Sequence, residues 1–450
     1  MDIKDKKKTK QKKDKRKKPK EIGYSSSIPN WYRLDNAAKI YPATMRRGWN
    51  SVYRISATLD HDIKPKELRK AVVDVHPRFP SFFVVLRKGF FWYYLEPSDS
   101  LDIVDEETEY PCRPFVIGSG NKPLVRVLYY KNRISLEVFH SVADGFGGIS
   151  LFKTLVYRYL ELCGFEMNDP DKEVLNYKDD PIESEFEDSF LKYYQKAKRK
   201  RPKEQLAYQH RKRRSHDYKY FRVVTGSFLV SDIKKVAKEK DVTITQYLTA
   251  LYILCFANDI KNTAKIKRKL PVRISVPINL RKLFPSTTLR NFSLFVNVGL
   301  DVTKVKDITI DDILSVIVPQ LSEGFEKNNI QNAFCHNVKP EFNLAVKVVP
   351  LFVKNFILKM VSNSVGESRF TSSFSNMGII TLPECMSKHV IDVGTVIGPN
   401  RNNGINLTAS SYGDKMSVCF SSCFADMAVQ KYFFHYLAEL GVNVEVESNV

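Results

Sequence analysis

Across residues 140–148 the apolar period of this chain switches from two residues to 3.6. Before the switch, residues 133–139 alternate as a strand does, which sets Ile134, Leu136, Val138 and His140 on one face. After it, residues 149–160 carry apolar side chains at 149, 152, 155, 156, 159 and 160, the spacing of a helix. A strand handed directly to a helix commits this part of the chain to a mixed α/β architecture. Gly145, Gly147 and Gly148 lie in the turn, where they allow positive φ and close approach of another group to the backbone. His140, placed at that turn, can meet a molecule that a mid-strand histidine could not.

A neutral imidazole, with an ordinary pKa of about 6.5, takes up a proton near neutral pH. His140 therefore suits a general base for a hydroxyl, amine or thiol attacking a carbonyl. Asp144 can orient that ring, or it can hold the turn by pairing with a distant arginine; a buried carboxylate requires such a partner. The same residues also fit a satisfied core histidine and a helix-capping aspartate, the commoner outcome for so loose a pattern. No Gly-x-Ser-x-Gly elbow occurs in the chain, which favours direct attack by the acceptor over a seryl intermediate.

The stretch His140-Ser141-Val142-Ala143-Asp144-Gly145 resembles the His-x-x-x-Asp-Gly motif of the CoA-dependent acyltransferase superfamily. That superfamily includes chloramphenicol acetyltransferase, peptide-synthetase condensation domains, plant acyltransferases and alcohol acetyltransferases. Residues 276–281 (Val-Pro-Ile-Asn-Leu-Arg) resemble the Pro-x-Asn/Asp-Leu-Arg segment of the alcohol acetyltransferase and mycolipid acyltransferase branch, and residues 286–292 extend the match. Residues 373–378 (Ser-Phe-Ser-Asn-Met-Gly) resemble a later Ser-Asn-x-Gly strand, and the hairpin at 411–415 with the run to Phe424 also fits. The likeness runs from roughly residue 28 to the C-terminus.

The resemblance implies that His140 deprotonates the acceptor and that Asp144 is structural, salt-bridged to Arg281 or, alternatively, to Arg290. It implies Gly145, Ser373 and Ser375 as turn and oxyanion candidates. Phe139 stands where condensation domains carry a second histidine, and the Asp-Phe-Gly-Trp-Gly motif of the plant branch does not occur, so the alcohol acetyltransferase branch is favoured. The implied reaction moves an acyl group, acetyl in the first instance, from a CoA thioester to an alcohol or amine. Acyl-CoA would be a co-substrate, with no permanently bound cofactor and no metal. A condensation-type enzyme using carrier-protein-bound acyl groups is the alternative among enzymes; a non-catalytic basic surface-binding protein is the alternative outside them.

A length of 450 residues, 43% hydrophobic, can bury two cores, and the resemblance implies two chloramphenicol acetyltransferase-like α/β subdomains with an active-site tunnel between them. The net charge of +21 is concentrated. Residues 1–20 hold twelve Lys or Arg against three Asp, and residues 192–214 hold eleven against one Glu, leaving the rest near neutral. The first run predicts a disordered basic tail over 1–22, with weak contact to anionic lipid or nucleic acid as its functional alternative. The second, following an acidic stretch at 179–188, predicts a solvated basic crossover linker over 191–216; attraction of CoA phosphates or an acidic carrier protein is the functional alternative. The subdomains would then be 23–190, carrying the motif, and 217–450. Seven scattered cysteines with no Cys-x-x-Cys pair suggest reduced thiols in a cytoplasm.

Further strands are expected at 51–59, 82–86, 90–95, 124–130, 273–280 and 293–302. Helices are expected at 64–75, 231–240, 246–257 behind a Thr243/Gln246 capping box, and 427–440 stopped at Gly441. Residues 346–361 are apolar but interrupted by Lys347, Lys354 and Lys359, too short a run to span a bilayer. They predict an amphipathic helix packed on the body.

Overall fold

The computed structural model describes residues 29–45, 51–118, 120–168, 173–201, 204–210, 221–262, 270–361, 366–398 and 404–449. The expected tail over 1–22 lies outside them. The strands are, in chain order, β1 (Tyr32–Arg33), β2 (Val52–Leu59), β3 (Val84–Lys88), β4 (Tyr93–Pro97), β5 (Val104–Glu106), β6 (Val125–Tyr130), β7 (Arg133–Phe139), β8 (Arg222–Leu229), β9 (Val272–Asn279), β10 (Ser293–Leu300), β11 (Ser372–Ile379), β12 (Val390–Ile397), β13 (Ile405–Tyr412), β14 (Lys415–Ser422) and β15 (Glu445–Ser448). A mixed sheet runs β12-β2-β7-β6-β5, a second runs β10-β9-β11-β13-β14-β8-β15, and a small third runs β1-β4-β3.

Each large sheet buries its own core. Helices Pro65–Val75 and Gly145–Leu162 cover the first sheet; helices Ile244–Lys261, Ile310–Gly324 and Ala428–Glu439 cover the second. The cause is local. Helix Ile244–Lys261 starts at Thr243, whose hydroxyl accepts the Gln246 N–H while the Gln246 amide accepts the Thr243 N–H, and it is then apolar all round. Helix Ala428–Glu439 stops at Gly441, which sits at φ 83°.

The two sheets meet along β12 and β13. Alternate residues of β13 point opposite ways: Ile405, Leu407 and Ala409 enter the second core, while Asn406, Thr408 and Ser410 turn to the seam. There the Thr408 hydroxyl donates to the Thr395 carbonyl (2.7 Å), and the Ser421 hydroxyl of β14 donates to the Ile397 carbonyl (2.6 Å). Short hydroxyls thus satisfy the carbonyl edge of β12 that no strand pairs, a need that burial makes obligatory. β12 itself pairs antiparallel with β2. A strand from the C-terminal half therefore completes the N-terminal sheet, and a division at residue 217 is crossed by it.

Three local expectations need correction. The aromatic hairpin is displaced: β3 and β4 start later than expected because the Gly89 N–H donates to the Trp92 carbonyl (2.9 Å), making residues 89–92 the turn and leaving Phe90 at its tip. The basic side chains over 196–201 are exposed, but the crossover is not a free connector. Its backbone binds helix Lys327–Val338 through Arg199 N–H to Asn332 Oδ1 (3.0 Å), then a loop through Ala207 N–H to the Ser368 carbonyl (2.9 Å). The acidic stretch before it is partly structural. Glu185 is buried in a fork with Arg78 (both bonds 2.6 Å), and Asp188 caps helix Ser189–Lys192, its carboxyl pushed up to about 6 by burial and by Asp35.

Candidate active site

β7 ends at Phe139, and the next backbone N–H, that of His140, donates to the Ser51 carbonyl (2.8 Å). The ring that follows is half-buried. Tyr41 stacks on it, with centroids 4.9 Å apart, and Tyr53 meets it edge-on at 5.0 Å. Nδ1 lies 3.4 Å from Asn291 Oδ1. Asn291 is held in turn, since its Nδ2 and its backbone N–H both face Asp35 Oδ2, at 3.2 and 3.4 Å. A side-chain amide that gives its NH2 to a carboxylate presents its oxygen the other way. Asn291 therefore accepts from His140, which places the imidazole proton on Nδ1 and the lone pair on Nε2. Among the described residues Nε2 has no hydrogen-bond partner.

Burial lowers the His140 pKa below the ordinary histidine value, and the opposing pull of Asp144 and of Asn291 is weaker. The ring is neutral at neutral pH, the state a base requires. Burial likewise raises the Tyr41 and Tyr53 phenols, so both stay protonated. Asp35 is fully buried; burial raises its carboxyl, and the Arg290 guanidinium 3.6 Å away opposes that.

Asp144 faces away from this work. Its Oδ2 accepts Arg281 Nη1 and the Phe292 N–H, each at 2.8 Å, and its Oδ1 accepts the Gly147 N–H at 3.3 Å. A carboxylate so filled is a poor proton acceptor for an imidazole. It is at once a helix N-cap and one half of a buried ion pair across the two halves of the chain. Arg281 is fixed behind the pair, donating Nε to the Thr288 carbonyl (2.9 Å) and Nη2 to the Arg290 carbonyl (2.6 Å). Arg290, the alternative partner, meets Asp35 instead and donates to the Phe186 carbonyl.

The motif glycines do not use the positive φ open to them, because they are helical rather than turn residues. Their role is close approach. A Cβ on Gly147 would sit 1.9 Å from the Leu289 carbonyl oxygen, and one on Gly148 would sit 2.5 Å from Tyr53 Oη. A Cβ on Gly145 would meet Met377 Cε at 2.6 Å, so the end of β11 reaches the motif turn. Of the two serines on that strand, the Ser373 hydroxyl donates to Asn406 Oδ1 (2.8 Å), whereas the Ser375 hydroxyl has only a 4.0 Å contact with Met377 Sδ.

Asn291, Asp35, Tyr41 and Tyr53 complete the surroundings of His140, and sequence reasoning assigned none of them a role. Asn291 lies inside the 286–292 run singled out above, which is the one signal that pointed near it.

The chain matches no family model and no curated protein. Solved structures do share its fold. The structure of TRI101 from F. sporotrichioides, complexed with coenzyme A and T-2, superposes with a TM-score of 0.59 at 10% identity, covering 92% of this chain and 99% of that one. TRI3 trichothecene 15-O-acetyltransferase from Fusarium sporotrichioides gives 0.52 at 13% identity, covering 91% and 94%. The starter condensation domain of rhizomide synthetase RzmA gives 0.53 at 11% identity, covering 92% and 97%.

Proposed function

We propose, from a fold shared with CoA-dependent acyltransferases, that this chain transfers an acyl group from a CoA thioester to an alcohol or amine, with His140 as general base. The observation that carries the reading is a neutral imidazole at the meeting of the two halves, its Nδ1 turned to Asn291 and its Nε2 left for a reactant. Nε2 takes the acceptor proton as the acceptor oxygen or nitrogen bonds to the thioester carbonyl carbon. The C–S bond then breaks, and the imidazolium returns its proton to the CoA thiolate. Asp144 and Arg281 hold the two halves in register and touch neither reactant.

The oxyanion needs a donor that is not already committed. Ser375 fits better than Ser373, whose proton goes to Asn406. The Gly145 N–H, at the open first turn of the motif helix, is the backbone alternative. Acetyl is the donor chain to test first, and the space beside His140 Nε2, between the two halves, is where donor and acceptor would meet.

The test is incubation with acetyl-CoA and a panel of alcohols and amines, following free thiol. Thiol release that needs an acceptor and disappears in His140→Ala supports the reading; release that persists in that variant rejects it. The exposed basic side chains over 196–201 favour one second reading, a donor presented on an acidic carrier protein. Faster turnover with acyl-carrier than with acyl-CoA donors would select it.

A further inference from the structure

Helix Leu351–Val361 is turned inside out. Phe352, Phe356, Ile357 and Met360 recur on one face at helical spacing, and that face is exposed: Phe352 by 69%, Phe356 by 65% and Met360 by 54%. The inward face carries the polar groups. Lys354 is buried with its ammonium 3.3 Å from the centre of the Trp92 ring, and it donates to the Phe91 and Lys347 carbonyls at 3.1 Å each. Asn355 donates to Tyr93 Oη (2.9 Å). These anchors fix the rotation of the helix, so the apolar face cannot roll inward. The expected single amphipathic helix over 346–361 is in fact two, Leu344–Val348 and Leu351–Val361, because Pro350 forces the residue before it out of the helical region.

The exposed apolar surface extends beyond one helix. Leu344 and Val348 on the preceding helix are exposed, as is Phe90 at the hairpin tip, whose carbonyl accepts the Leu351 N–H (2.9 Å). The N-terminal chain departs from the same place. Arg33 lies over the Trp92 ring that carries Lys354, and Trp31 beside it is exposed. The described chain begins at residue 29, two positions before Trp31, and in the sequence residues 1–20 carry twelve Lys or Arg against three Asp. The helix also packs on helix Ile40–Thr44, whose Tyr41 stacks on His140.

We propose that this face docks on an anionic lipid bilayer. Phe90, Phe352, Phe356 and Met360 enter the boundary between headgroups and acyl chains, and Lys347 with the basic N-terminal segment pairs with anionic headgroups. An eleven-residue helix is a weak anchor alone, and a weak apolar anchor beside a polybasic segment is the combination that holds a protein on such a surface. A second copy of the chain is disfavoured as occupant, because each copy would bring the same basic segment to the contact. A nucleic acid would use the charge and leave the hydrocarbon uncovered. The docking is peripheral: no helix among the described residues is long and apolar enough to cross a membrane.

Sedimentation of the full chain with vesicles tests this. Phosphatidylcholine vesicles containing about 30% phosphatidylserine should bind it ~10-fold or more tightly than phosphatidylcholine alone, with binding falling as salt rises. The double variant Phe352→Ser, Phe356→Ser should weaken that binding by ~10-fold or more, with the melting temperature held within about 2 °C because both side chains are exposed. Phe90→Ser, on a separate element, should weaken it in the same direction. The proposal is overturned if the chain sediments no more with anionic vesicles than without them. It is overturned if the serine variants bind as the parent does, even where neutralising residues 1–20 abolishes binding. A concentration-dependent dimer that the double variant dissociates, with no vesicle binding, would assign the face to a second copy instead.

Discussion

The seam around Asp144 and the face of helix Leu351–Val361 both invert the usual distribution of polarity, in opposite senses. At the seam, charge is buried: Asp144, Arg290 and Asp35 are nearly inaccessible. On the helix, hydrocarbon is exposed while a lysine is buried beneath it. The buried charges are closed upon one another. Asp144 accepts three donors, and Arg281 also donates Nε and Nη2 to backbone carbonyls and Nη1 to Asn279 Oδ1. The exposed phenylalanines have no such closure. An interior polar group must find its partners in the folded chain, because an unmade bond there costs the full desolvation of the group. An exposed apolar group carries no comparable penalty and can wait for a partner from outside.

That contrast can be broken, and the largest effect should come at the imidazole. His140→Ala should lower acceptor-dependent thiol release by roughly 10²–10⁴-fold, with the melting temperature little changed. Equal loss of activity and of folded protein would make the ring a core element instead. Arg281→Ala should act on folding first. It strands the Asp144 carboxylate in the interior, and denaturant titration should show a loss of about 3–5 kcal/mol; a loss below about 1 kcal/mol would place the pair among ordinary surface bridges.

Asn291→Leu separates orientation from chemistry. Without the acceptor at Nδ1, turnover should fall on the order of tenfold. The acid limb of the pH–rate profile should also move to lower pH, because the Asn291 bond raises the His140 pKa. A purely structural role would leave that limb in place.

A smaller effect is the pH dependence of stability. Burial sets the folded His140 pKa below that of the unfolded chain, so between the two values the unfolded state binds more protons. This contribution is complete above about 6.5 and is lost as pH falls through that window. His140→Gln should flatten the corresponding part of the stability–pH curve. Smallest of all, the Phe352→Ser, Phe356→Ser pair should shift stability by less than about 0.5 kcal/mol while altering vesicle binding. A large destabilisation would show that the face packs on the body after all.

Much of this was legible in the chain. The strand Arg133–Phe139, the helix after Asp144, the Thr243 capping box and the Gly441 stop depend on residues within a few positions of one another, and period and capping chemistry report such contacts directly. The motif glycines were legible as places of close approach, but the group that comes close was not. Their φ values are helical, and what excludes a side chain at Gly147 is the carbonyl of Leu289, far away in sequence.

The sequence by itself determined the local elements, the two basic runs and the presence of an imidazole at a strand-to-helix turn. Tertiary structure alone decided that Asn291 and Asp35 stand behind that imidazole, that β12 crosses to the first sheet, and that helix Leu351–Val361 turns its phenylalanines outward. The physical reason is the range of the forces involved. Periodicity and caps act over a turn or two of chain, whereas a hydrogen bond between residues 151 positions apart, or a lysine seated on Trp92, exists only once distant segments are brought together.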